Sequence, residues 1–180
     1  MELSLVQDND PILKKEARRF DFDNPPFDIM EFSKALVLKM REHNGMGLAA
    51  PQIGHPYQIF CMEGEPATVV INPRVVEYSK ETVLLEEGCL SYPGLLVKVT
   101  RPKMVKVRFS FPDGYTSTHT YDGISARCFL HEFDHLAGVC HITRAGPIHR
   151  EQANRRWKII KKRNKSVENL TKLVYSVAGE

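Results

Sequence analysis

The sequence contains no apolar run approaching the roughly 20 residues that span a bilayer, so no membrane span is expected. It has no internal repeat and no low-complexity segment, which excludes solenoid and propeller architectures. Cysteine is sparse: Cys61, Cys89, Cys128 and Cys140 are the four in 180 residues. An even count admits a disulfide framework. A chain of this length whose first ten residues lack a basic-then-apolar leader argues against one. A cytoplasmic location is therefore expected, the host cytoplasm if the gene is viral. Cys61 and Cys140 read as small buried hydrophobes.

Strong net charge is also missing, at +3, but that figure hides an asymmetry. Residues 144–180 hold ten Lys/Arg against three Asp/Glu, a local +7, and the rest of the chain holds 15 against 19, a local −4. A mildly acidic body thus carries a basic tail. Its length predicts one domain with room for a proper core. Hydrophobic content of 42% and charged content of 26% are ordinary for a globular protein.

The pattern of elements predicts α+β with antiparallel sheets, because strands precede a buried helix. Asp10-Pro11 suits the cap and first position of a short helix within 8–19. A helix over 27–43 ends at Asn44-Gly45. Gly45 to Gln52 is a turn of small residues without helical period. Strands are predicted at 57–62, 68–72, 95–99, 104–110 and 115–121, with Phe111-Pro112-Asp113-Gly114 as a turn. Residues 122–138 form a helix apolar over most of its surface, hence buried. A last helix covers 148–164 with a basic surface.

Within the buried helix stands His131-Glu132-Phe133-Asp134-His135. Residues four apart share one helix face, so His131 and His135 can hold one metal ion. Glu132 projects about 100° away, near the ion without ligating it, as a general base acting on activated water requires. A catalytic site needs a third protein ligand. The downstream acids Glu151, Glu168 and Glu180 all lie in the basic tail. Upstream, Cys89 follows a glycine and offers a thiolate. Cys128, three residues before His131, competes for that role and otherwise lines a pocket.

Three segments together resemble the motifs of peptide deformylase: Gly45-Met46-Gly47-Leu48-Ala49-Ala50-Pro51-Gln52, Glu87-Gly88-Cys89-Leu90-Ser91 and His131-Glu132-Phe133-Asp134-His135. The similarity runs from about Ile12 to Thr143 and includes Asn72-Pro73 and Tyr92-Pro93-Gly94. It implies antiparallel sheets wrapped around a central metal-binding helix, with a C-terminal helix. It implies removal of the N-formyl group from formyl-methionyl nascent peptides, with Cys89, His131 and His135 as ligands. The implied metal is Fe(II), with Zn, Ni or Co able to occupy the site. Glu132 is the implied base, and the Gln52 amide and Leu90 backbone N–H the implied oxyanion donors. The resemblance also implies substrate contacts at Gly45, Met46, Gly47, Leu85, Gly94, Ile124 and Cys128, where core packing is the alternative for the apolar side chains. Glu87, Asp134 and Arg101 are candidates to orient the histidines.

Two positions depart from the family pattern. Leu130 stands where many members have Gln, and Leu95-Leu96 where many bacterial members have Arg. The expected organisation is a catalytic domain at 1–146 and a basic helical extension of the same domain at 147–180, in a monomer. Arg150, Arg155, Arg156, Lys158, Lys161, Lys162, Arg163 and Lys165 crowd that extension. They form either a solvated helix face or an anchor on ribosomal RNA. The competing functions are a zinc endopeptidase of the His-Glu-x-x-His kind and a ribosome-binding protein with a closed structural metal site.

Overall fold

Strand β2, Ile59–Met62, is buried at all four positions, which explains why its sequence shows no polar alternation. Ile59 and Cys61 enter one apolar cluster, while Phe60 and Met62 enter another on the opposite face. The computed structural model of the chain describes residues 3–177, and side chains through Arg163. Five strands form an antiparallel sheet in the order β1-β2-β3-β6-β7, with β1 at Gly47–Ala49, β3 at Thr68–Tyr78, β6 at Met104–Ser110 and β7 at Thr116–Asp122. A separate antiparallel pair joins β4, Thr82–Glu87, to β5, Val97–Pro102.

Helix α1, Ile29–Glu42, covers one face of the larger sheet through Phe32, Leu36 and Met40. Asp28 caps it, its carboxylate accepting from the Met30 and Glu31 N–H groups, a contact worth about 1 kcal/mol. Helix α2, Gly123–Leu136, lies against the other face. Ala126, Phe129 and Leu130 pack there against Phe60, Val105 and Val107. Phe129 is fully buried and sits edge-on to Phe60 at 5.1 Å between ring centres, and its burial contributes about 1.5–3 kcal/mol. A third cluster gathers β5, Tyr92, Leu13 and Ala153 beneath helix α3, Pro147–Val177. The α+β architecture is therefore as the residue pattern implies, with α2 enclosed by both sheets.

Several expected elements shift. The turn at 45–52 contains β1 and a 3-10 helix at Ala50–Ile53. β3 continues through Asn72-Pro73 to Tyr78, past a register irregularity between Ile71 and Arg74. Asn72 adopts φ 51°, and its amide exchanges two hydrogen bonds with the Phe20 backbone at 2.8 Å each. β4 is a strand that the sequence pattern did not indicate, and α3 runs well past Asn164. Met104, apolar and so expected on the inward side of β6, is 37% exposed. All four cysteines are free, and Cys61 is buried while Cys140 is only half-buried.

Candidate metal centre

Two segments converge on one point. Helical spacing turns His131 and His135 toward the segment that follows β4, with ring centres 5.2 Å apart. Cys89, in that segment, places its Sγ 3.2 Å from His135 Nε2. One ligand atom from each of Cys89, His131 and His135 lies within 4.8 Å of the others. Among the described residues this is the one His/Cys/Asp/Glu group of three or more with such convergence. One thiolate and two imidazoles make a donor set for a borderline-soft divalent ion with a coordination position left open.

Glu132 supplies the second test of fit. It is buried, and its Oε2 has no hydrogen-bond partner. A buried carboxylate oxygen left bare is costly, so the arrangement suits a group that takes up a proton or faces a reactant. Burial raises its pKa to about 7, although the charges of His131 and Arg101 pull the other way. Gly47 makes room for it: a Cβ there would meet Glu132 Oε1 at 2.5 Å.

An ionic lattice fixes His131. Its Nδ1 meets Glu87 Oε2 at 3.0 Å, leaving Nε2 for the metal side. Burial of Glu87 raises its pKa, but hydrogen bonds from Arg101 and His131 outweigh that and hold it well below the usual carboxylate range. Arg101 grips Glu87 through two bonds of 2.6 and 2.9 Å, then reaches Asp134 at 2.9 Å. Arg127 joins Glu87 at 2.6 Å, and Arg144 joins Asp134 at 2.6 Å. Of the three orienting candidates, Glu87 thus touches His131 directly, and Arg101 bridges it to Asp134. For His131, burial acts to lower the pKa, but hydrogen bonds to Cys89 and Glu87 prevail and raise it to about 10. A cation held by the same ring would displace that proton. Burial and the His131 charge push His135 well below its ordinary value.

Gln52 reaches the same point from the 3-10 helix. Its Oε1 accepts from the Ala49 N–H at 2.7 Å, which turns Nε2 toward Ser91 Oγ at 3.1 Å and Cys89 Sγ at 3.5 Å. A cavity of about 730 Å³ opens over these groups. Cys89, Gln52, Leu90, His131 and Glu132 line it, as do all seven expected substrate-contact residues, Gly45, Met46, Gly47, Leu85, Gly94, Ile124 and Cys128. Met46 and Ile124 are 57% and 53% exposed, so neither is a core residue. Cys128 donates to Met46 O at 3.2 Å and lies outside the convergent group. Burial raises its thiol pKa.

Arg127, Arg144, Ser91 and Leu5 belong to these surroundings and were not singled out in the sequence. An arginine inside an otherwise apolar helix was the available signal for Arg127. At the two departures, Leu130 is buried in the sheet-facing cluster, whereas Leu96 is 50% exposed and would lie 3.0 Å from a Cβ at Gly88.

The chain that builds this convergence of a cysteine, two histidines and a buried glutamate has relatives among known proteins. The polypeptide deformylase family matches residues 2–151. A peptide deformylase of Thermotoga petrophila is 40% identical over 145 residues, covering 78% of this chain and 85% of that protein. The crystal structure of a peptide deformylase from Synechococcus elongatus in complex with actinonin superposes with a TM-score of 0.82 at 30% identity, covering 88% of each chain. A Met-Ala-Ser-bound peptide deformylase from Acinetobacter baumannii gives 0.75 at 31% identity, covering 80% of this chain and 98% of that one. With the match extending over all three motifs, the chain belongs to the polypeptide deformylase family.

Proposed function

We infer that the protein is a hydrolase that removes the N-formyl group from the N-terminal formyl-methionine of nascent polypeptides, releasing formate. The observation that carries this is the convergence of Cys89, His131 and His135 beside the bare Oε2 of Glu132. Cys89, His131 and His135 are assigned as the ligands of one divalent metal. That ion, when bound, polarises the reacting oxygen and makes water a better acid. Fe(II) is the proposed native metal, with Zn, Ni or Co as substitutes. The mixed thiolate and imidazole donors support that range rather than a hard ion.

Glu132 is assigned as the base. A carboxylate poised near pH 7 takes a proton from water as the oxygen attacks the formyl carbon. It then returns a proton to the amine nitrogen as the carbon–nitrogen bond breaks, which leaves formate and a free N-terminal methionine. The Gln52 amide, held by the Ala49 N–H, and the Leu90 N–H are the proposed donors to the developing oxyanion. Gly45, Gly47 and Gly94 offer backbone to an extended peptide. Met46, Leu85, Ile124 and Cys128 are the proposed walls for the methionine side chain.

Residues 1–146 are proposed as the catalytic domain and 147–180 as its basic extension; Lys165 and residues 178–180 fall beyond the side chains or backbone described. The exposed residues Arg155, Arg156 and Lys158 support contact with ribosomal RNA, and a monomeric, cytoplasmic protein is the accompanying proposal. No helix among the described residues is long and apolar enough to cross a membrane. Charge reversal at Arg155, Arg156 and Lys158 tests the ribosome reading. Co-sedimentation with ribosomes should disappear, and its persistence would refute that contact.

The endopeptidase reading finds no support. Glu151, its nearest downstream acid, is exposed on α3 and paired with Arg155. Incubation with formyl-Met-Ala-Ser separates the two activities. Formate with intact Met-Ala-Ser is expected, and peptide-bond cleavage without formate would overturn the assignment.

A further inference from the structure

Two of the cavity-lining segments supply no side chain to the metal centre. One is the loop at Pro93-Gly94 and the other the N-terminal segment around Leu5, and both line the cavity. Each is held by the same two turns of α3. The Trp157 indole N–H donates to Pro93 O at 3.1 Å. Its ring meets Tyr92 edge-on at 6.1 Å. Ile160 lies over Gly94, where a Cβ would come within 3.0 Å of its Cγ2, and Gly94 has φ +79°. Lys161 pairs with Asp8 and also sits 4.4 Å above the Trp157 ring. Three residues before Asp8, Leu5 faces the cavity, and the Val6 N–H between them donates to Gln52 O at 3.0 Å.

We propose that Trp157, Ile160 and Lys161 act as positioning residues for substrate, setting the outer cavity wall that holds the peptide beyond its N-terminal methionine. This rests on the deformylase reading. Trp157, Ile160 and Lys161 do not line the cavity, and they reach it through Tyr92, Pro93, Gly94 and Asp8. Glu132 and both histidines stand on α2, and Gln52 on the 3-10 helix. Cys89 is nearer, since the Tyr92 N–H donates to its carbonyl at 3.0 Å, and a metal held by the two histidines would anchor it. Loosening α3 therefore moves the wall while Glu132 and both histidines stay in place. The basic surface of α3 faces away from this contact at Arg155, Arg156 and Lys158, all exposed. One helix can thus hold a polyanion on one side while bracing the peptide cleft on the other.

The test compares two substrates, formyl-Met amide and formyl-Met-Ala-Ser, in the metal-loaded full chain. Trp157→Phe keeps the ring and deletes the donor. Losing one hydrogen bond of ordinary strength corresponds to a change of about threefold to tenfold. KM for formyl-Met-Ala-Ser should rise by that factor at unchanged kcat, with formyl-Met amide affected less than twofold. Lys161→Met, which leaves Trp157 in place and releases Asp8, should show the same split. Gln152→Ala, exposed on the same helix, is the control and should match the parent on both substrates. Equal losses on the two substrates, or no loss on either, would overturn the proposal. Absence of formate release by the parent chain would instead refute the deformylase reading itself.

Discussion

Glu132 rests on the backbone of Gly47, so closely that a Cβ at that position would come within 2.5 Å of the Glu132 carboxylate oxygen. The contact joins the first and third motifs through two residues 85 positions apart in sequence. It makes Gly47 a requirement of the Glu132 side-chain position, in addition to any contact it offers to substrate. Gly47→Ala must push the Glu132 carboxylate aside. A displacement of this kind costs roughly a hundredfold in rate. Steady-state assay should show that loss in kcat, and elemental analysis should find the metal content unchanged, because no ligand has moved.

Gln52 has two ends with different tasks. Its Oε1 satisfies the Ala49 N–H, and its Nε2 points at Cys89 and Ser91. Gln52→Glu keeps an acceptor for Ala49 while removing the donor from the cavity. Loss of one oxyanion donor costs about 100- to 1,000-fold in kcat. Assays at saturating formyl-Met-Ala-Ser should show this, with a thermal midpoint close to that of the parent.

Arg101 is buried between Glu87 and Asp134. Removing one partner of a buried ionic group leaves the other charges uncompensated, at a cost of about 3–5 kcal/mol. Arg127 still reaches Glu87, so the lower end of that range is expected for Arg101→Met. Chemical denaturation of the metal-loaded protein measures it. A loss under 1 kcal/mol would show that Arg127 alone sustains the lattice.

Cys89 distinguishes this centre from one with a carboxylate third ligand. Cys89→Ala should lower metal content after dialysis to well below one ion per chain. Treatment of the parent with a chelator should abolish formate release, and anaerobic addition of Fe(II) should restore it. Activity that survives complete metal removal would contradict the ligand assignment.

How much of this was legible depended on periodicity. The i, i+4 histidines were readable because the helical repeat alone determines which side chains share a face. β6 was readable except at Met104, since Val105, Val107 and Phe109 enter the core while Lys106 and Arg108 do not. β4 was not readable, because of its six residues only Glu87 is fully buried and no alternation results. The second half of β3 is similarly exposed, and its Val75, Val76 and Tyr78 do not alternate with the polar residues, so its continuation past Asn72 was not readable. Arg127 and Arg144 were hidden for a different reason. A charged side chain looks solvated in sequence, and only the tertiary placement of Glu87 and Asp134 shows what it meets.

Glu132 is proposed to move the proton at a centre whose metal is held by Cys89, His131 and His135. Glu132→Gln tests it most directly, since the amide fits over Gly47 but cannot accept the proton. Metal stoichiometry and formate release should be measured on the same preparation. Metal content equal to that of the parent is expected, with turnover lower by about 100- to 10,000-fold. Undiminished turnover in the metal-loaded variant would contradict that role for Glu132.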